Sequence, residues 1–231
     1  MKRFYKKVGI LKLERSYQVT LDNSPLKTPL MSTLHLPTIK LAEKIANEWS
    51  DVQTDIIPQQ MPLYSLAVTA IDRVASQKTE LLEEMQQYIM NDLLCYRESE
   101  DRKLQEHQNK NWDPWLSWAN TEFNFHLKIA KGVMPINQDQ RNANLLMQVI
   151  LQMNIWTFSC FVRATTLTGS AILALAFIRK QVTPDTLFSA AYLDEFYQIS
   201  KWGTDDESLA RHVAVKNELR DLSDFFRLTG K

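Results

Sequence analysis

The residues best suited to chemistry are acidic and lie towards the C-terminal end. Asp194 and Glu195 fall inside a helical pattern, and Asp205, Asp206 and Glu207 form an unbroken run shortly after it. Neighbouring carboxylates can divide the roles of general acid and general base. They can also form a solvated face or an edge that binds a partner, the more common use of such runs. Cys95 is a second candidate, because Arg97 lies two residues on and a nearby cation lowers a thiol pKa. No base is placed to assist it, so Cys95 is expected to pack in the core. His35, His107, His126 and His212 share no metal-ligand spacing with one another or with a cysteine, and no metal site is expected. Asp72 and Arg73 follow an apolar helix face and are expected to form a buried ion pair between elements.

The aromatic residues offer a different chemistry. Trp112, Trp115 and Trp118 recur at three-residue steps and so lie close to one helix face. Such a stripe is usually core, and its functional alternative is a platform for another protein. Trp49 closes an amphipathic helix that also carries Ile39, Ala42, Ile45 and Ala46, so its role is expected to be structural.

These residues must be positioned by two kinds of sequence. Over residues 1–37 apolar and polar side chains alternate, as in Tyr17, Val19 and Leu21 against Gln18 and Thr20, with a turn at Asp22-Asn23-Ser24-Pro25. Phe4 to Leu13 also reads as strand. Residues 38–231 read as helices. Thr38 caps one to Trp49, and two more span 64–74 and 78–93. Arg97 to Asn111 reads as a solvated helix or loop, Asp113-Pro114 as the start of a helix reaching Lys131, and 138–160 as one helix. Ala171 to Ile178 is apolar on every face and should be buried all round. Thr183 and Pro184 should open a helix running from Thr186 to Trp202, with Gly203 as its stop, and a last helix should span 209–228. The expected architecture is therefore α+β, a small antiparallel β domain over 1–37 followed by a larger helical domain over 38–231.

Charge is balanced, with 27 basic and 27 acidic residues, so no global field draws nucleic acid. Only two cysteines occur, Cys95 and Cys160, which fits a reducing compartment. The most apolar window, Ile155 to Ile178, is broken by Arg163 and several Thr and Ser. Its uninterrupted part falls short of the ~20 residues of a membrane span. Five glycines make no phosphate-cradling loop. A monomer without cofactor, nucleic acid or membrane insertion is expected.

An ordered set of short segments carries a resemblance. They include Arg3-Phe-Tyr-Lys, Tyr17-Gln-Val-Thr-Leu-Asp, Lys27-Thr-Pro29, Glu48-Trp49, Met61-Pro-Leu, Thr69-Ala-Ile-Asp72, Asp92-Leu-Leu-Cys-Tyr-Arg97 and Trp112-Asp-Pro114. Thr168-Gly-Ser170, Leu193-Asp-Glu195 and Trp202-Gly203 continue the set to about residue 207. Together they resemble the assembly chaperones for the α subunit of the F-type ATP synthase. The resemblance implies no enzymatic activity and a client, the unassembled α subunit, held until the β subunit replaces the chaperone. It carries a functionally important Trp onto Trp49. It carries an important acid after the Trp-Gly pair onto Glu207, with Asp205 and Asp206 as neighbouring candidates. The short N-terminus resembles the bacterial members, so a bacterial cytoplasm is expected, or the mitochondrial matrix for a eukaryotic chain. The competing readings are a hydrolase or metal enzyme built on the acidic cluster, and a static scaffold that stays in the finished complex.

Overall fold

A computed structural model describes residues 1–132 and 134–230; Val133 and Lys231, both inside the expected helical domain, lie outside them. The architecture is α+β, and the chain packs as two units. One unit comprises Met1–Lys78, Ile155–Ser159 and the chain from Asp221 on. The other comprises Thr79–Asn154 and Cys160–Arg220. The unit border thus falls at Lys78 and not near residue 37, because the strands bury their inner face on the first helix.

In the first unit β1 (Val8–Lys12), β2 (Tyr17–Leu21) and β3 (Ser24–Pro25) form an antiparallel sheet in that order. Val8 faces Leu21, Ile10 faces Val19, and Thr20 faces Pro25. Asp22 and Asn23 both take positive φ, 48° and 70°, the two-residue turn that matches strand twist. Strand structure begins at Val8 and not at Phe4. Two hydrogen bonds from the Lys6 and Lys7 N–H groups to the Asp22 carboxylate hold the segment before it.

The helix α1 (Ile39–Asp51) packs on β1 and β2 and buries Leu41, Ala42, Ile45, Ala46 and Trp49. Thr38 caps it, its Oγ1 accepting from the Leu41 N–H at 3.1 Å and donating to the Leu228 carbonyl at 2.5 Å. Ile39, expected on the buried face, is 38% exposed. Next come α2 (Pro62–Val68) and a π-helical turn over Thr69–Val74. The expected buried ion pair from Asp72 or Arg73 to another element is absent among the described residues. Adjacent helical residues face different ways, so Asp72 accepts instead from Thr28 Oγ1 at 2.7 Å and from the Leu30 N–H at 3.2 Å. Arg73 is exposed and bonds Gln77.

The second unit is built around α7 (Ala171–Ile178), buried from Ala171 to Phe177 as its all-apolar sequence requires. Before it come α3 (Lys78–Met90), the short parallel pair β4 (Tyr96–Arg97) and β5 (Ala130–Lys131), α4 (Arg102–Phe123) and α5 (Gln140–Leu151). Helix α6 (Ile155–Thr168) runs from the first unit into the second. It is followed after α7 by α8 (Pro184–Ala191) and α9 (Leu193–Trp202), and α10 (Asp206–Leu228) returns to the first unit.

Several helix boundaries differ from the sequence expectation. α4 runs straight through Pro114. Asp101 caps it by accepting from the Lys103 and Leu104 N–H groups, and Asn124 ends it at φ 60°. An interior proline removes one backbone hydrogen bond, and here it sits on the exposed side of a long helix. The stretch 138–160 is two helices, broken between Leu151 and Ile155. The stretch from Thr186 to Trp202 breaks at Tyr192, whose hydroxyl donates to the Leu167 carbonyl.

Candidate partner-binding surface

α9 and α10 meet at a short corner. Gly203 ends α9 at φ 80°, a backbone conformation that residues with a side chain rarely adopt, and its N–H donates to the Ile199 carbonyl at 2.8 Å as the chain reverses. Asp205 anchors the start of α10. Its Oδ1 accepts from the Ser208 N–H at 2.8 Å and its Oδ2 from the Ser208 hydroxyl at 2.9 Å, and these bonds lower its pKa. Asp206 and Glu207 occupy the first turn, where the helix dipole favours negative charge. Both are exposed, and neither carboxylate has a partner among the described residues. Trp202, the last residue of α9, is 75% exposed. The helix begins at Asp206, three residues before the expected start at Leu209, which places two of the acids in the helix itself.

Asp194 and Glu195 do different work from this run. Asp194 accepts from Gln108 Nε2 on α4 at 2.9 Å, and burial raises its pKa. Glu195 accepts from Arg211 at 2.9 Å and pairs with His212 Nε2 at 2.7 Å, both on α10. His212 is 5% exposed and sits among Phe188, Tyr192 and Phe196, ring centroids 6.0, 5.4 and 5.2 Å away. The five acids thus divide: two clamp α9 to its neighbours, one caps α10, and two stand free. Between α9 and α10 lies an open groove of about 270 Å³ lined by Glu195, Ile199, Gly203, Asp205 and His212.

Cys95 is fully buried, and burial with the nearby Asp92 pushes its thiol pKa up, so it is not the lowered-pKa nucleophile that its spacing from Arg97 allowed. Arg97 spends its guanidinium elsewhere, on the Leu94 carbonyl, on Asn109 and on Asp113 at 2.7 Å, and lies over the Trp112 ring. Trp112 is core and donates from Nε1 to the Ala190 carbonyl. Trp115 and Trp118 are half-buried, with ring centroids 6.4 Å apart. The stripe therefore splits between core and surface.

The placement of two acids, one buried and one half-buried, escaped the sequence reading. Asp92 is completely buried, and Glu48 accepts from the Leu63 and Tyr64 N–H groups, both at 2.8 Å, at the start of α2. Pro62 opening a helix was the available signal that free N–H groups follow it, but nothing in sequence shows that Glu48 reaches them. Burial outweighs those two bonds and pushes Glu48 up to about 7 from its ordinary 4.5. The raised value means the folded state holds a proton that the unfolded chain releases. The contribution of Glu48 to stability is therefore full below 4.5 and is lost as pH rises through about 7. Glu48→Gln should flatten this dependence. Melting temperatures at about pH 5 and pH 8 should differ less in the variant than in the unmutated protein, and an equal difference in both would remove Glu48 as a source.

The fold matches those of solved Atp12 structures. Atp12 from Paracoccus denitrificans is 37% identical and matches 99% of this chain and 98% of its own with a TM-score of 0.93. An aspartate-to-lysine variant of Atp12p from the same organism matches at 36% identity, 99% of this chain, 97% of its own and a TM-score of 0.93. The Atu1473 protein of Agrobacterium tumefaciens, proposed to be a chaperone, matches at 30% identity over 98% of this chain and 85% of its own, with a TM-score of 0.91. The sequence profile of the family described as ATP12 chaperone protein covers residues 2–120. The chain belongs to the ATP12 chaperone family. As a member it is a chaperone of ATP synthase assembly.

Proposed function

We propose that the client is the unassembled α subunit of the F-type ATP synthase, held until the β subunit displaces the chaperone. Subunits of an obligate ring bury large apolar interfaces, and such surfaces aggregate when left uncovered. The observation that carries the site assignment is the pair Asp206 and Glu207, exposed and unpaired beside the exposed Trp202. Free surface carboxylates add little to folding, so they are available for recognition. Trp is over-represented among residues that anchor interfaces, and a charge next to it fixes register and speeds encounter. In this reading Asp206, Glu207 and Trp202 touch the client, while Asp194, Glu195, Asp205 and Gly203 hold the corner in shape. The chaperone works as a monomer and catalyses no reaction. It acts where α subunits are made, the bacterial cytoplasm or the mitochondrial matrix.

Glu207→Lys tests the assignment. The variant should melt with the unmutated protein and associate with α subunit on the order of three- to tenfold more slowly at low salt, the gap closing as salt is raised. Unchanged association at every salt would remove Glu207 from the contact, and a large fall in melting temperature would make it structural. A chain that is retained in the finished synthase would be a scaffold and not a chaperone.

A further inference from the structure

A second groove runs along the opposite flank of α9, facing α4, with a volume of about 580 Å³. Its floor is apolar, made by Leu193, which is 6% exposed, Phe196, which is 36% exposed, and the ring of Tyr197. Its rim on α4 carries Lys103 and His107, both exposed, and neither side chain has a partner among the described residues. The acids nearby are already engaged. Asp101 takes the Tyr197 hydroxyl at 2.9 Å and the Lys201 ammonium, and Glu106 is paired with Arg102 at 2.9 Å. An apolar trough bordered by the unmatched ammonium of Lys103 and the imidazole of His107, a hydrogen-bonding group, suits a partner segment that brings an apolar or aromatic side chain next to a carboxylate.

We infer that this α4–α9 groove is a second contact for the client, taking an acidic, apolar segment of the α subunit. The inference rests on the reading that the α subunit is the client. Charge complementarity argues for that occupant: the groove offers the unpaired ammonium of Lys103, whereas the corner on the other flank of the same helix offers the unpaired carboxylates Asp206 and Glu207. A client gripped on both flanks of α9 would present opposite charges to the two sides, which fixes its orientation as one contact alone does not.

The test uses the full chain with a photo-crosslinking side chain at Ser189, an exposed residue lining the groove, and a control at the exposed Glu83 on α3. Purified α subunit should be trapped from Ser189 and not from Glu83. Lys103→Glu, which removes no internal contact, should melt normally and lower capture about tenfold, while Lys103→Arg should retain it. The inference falls if α subunit binds, Glu207→Lys weakens that binding, and yet Lys103→Glu captures as the unmutated chain does. It also falls if Ser189 crosslinks only to another copy of this chain. If the unmutated protein captures no α subunit, the parent reading fails and this one with it.

Discussion

Trp49→Arg should leave the first unit unable to fold stably. Trp49 is 3% exposed and wedged edge-on between Tyr5 and Tyr64, with ring centroids 5.5 and 5.0 Å away. The Tyr5 hydroxyl donates to the Trp49 carbonyl at 2.5 Å, so the same residue also ties α1 to the segment before the sheet. Emptying such a site costs about 3–5 kcal/mol for Trp→Ala, a large share of the ~5–15 kcal/mol that holds a domain together. Arginine adds a charge to be buried, and the one acid beside it in sequence, Glu48, is turned to the start of α2. Trp49→Phe supplies the contrast. The Trp49 Nε1 is buried without an acceptor among the described residues, so losing it forfeits no hydrogen bond to them, and the smaller ring should cost less than half as much. Thermal melts of the three variants should rank Phe above Ala above Arg. An alanine variant that melts with the unmutated protein would assign Trp49 to client contact instead.

Asp92→Ala should be the most damaging single change in the second unit. Asp92 Oδ1 accepts from the Leu94 N–H at 3.0 Å and the Ser170 hydroxyl at 2.7 Å, and Oδ2 accepts from the Ile172 N–H at 3.1 Å. Ser170 in turn caps α7, the helix with no exposed face, accepting from the Leu173 N–H at 3.0 Å. Water cannot reach these three donors, and each buried one left unsatisfied costs about 1–3 kcal/mol, so the loss should be at least about 3 kcal/mol. Asp92→Asn keeps the shape and one acceptor oxygen but turns an amide N–H against a backbone N–H, and should cost roughly half as much. Burial pushes Asp92 up to about 6, so the folded state again holds the proton more tightly than the unfolded chain. This contribution is greatest below about 4 and declines as pH rises through about 6. Denaturant unfolding near neutral pH checks the ranking. An alanine variant within about 1 kcal/mol of the unmutated protein would mean that the α7 start relaxes to satisfy itself.

The elements that positioned these groups were largely legible. Two-residue alternation in Tyr17, Val19 and Leu21 marked a strand, the Thr183-Pro184 pair opened α8, and the uniform apolarity of Ala171 to Ile178 announced a helix buried on all sides. Local rules failed where tertiary contacts decide. Pro114 looked like a beginning because proline favours the first turn, but the capping of Asp101 had already started α4 and a long helix absorbs one missing bond. The acids were visible as a cluster, but their division was not. Whether Asp194 meets Gln108, or Glu195 meets His212, depends on residues 86 and 17 positions away. The same limit hid Asp92, whose partner Ser170 lies 78 positions along the chain.

Cys95 and Cys160 are the only cysteines, both have no exposed surface, and both belong to the second unit. Burial holds both thiols in the unreactive, protonated form. An alkylating reagent therefore has nothing to modify until that unit opens, and its labelling rate measures the opening of the second unit alone. The first unit contains no thiol but does contain the indole of Trp49. Opening of the first unit alone exposes no sulfur, so a single thiol reagent tells the opening of one unit from that of the other.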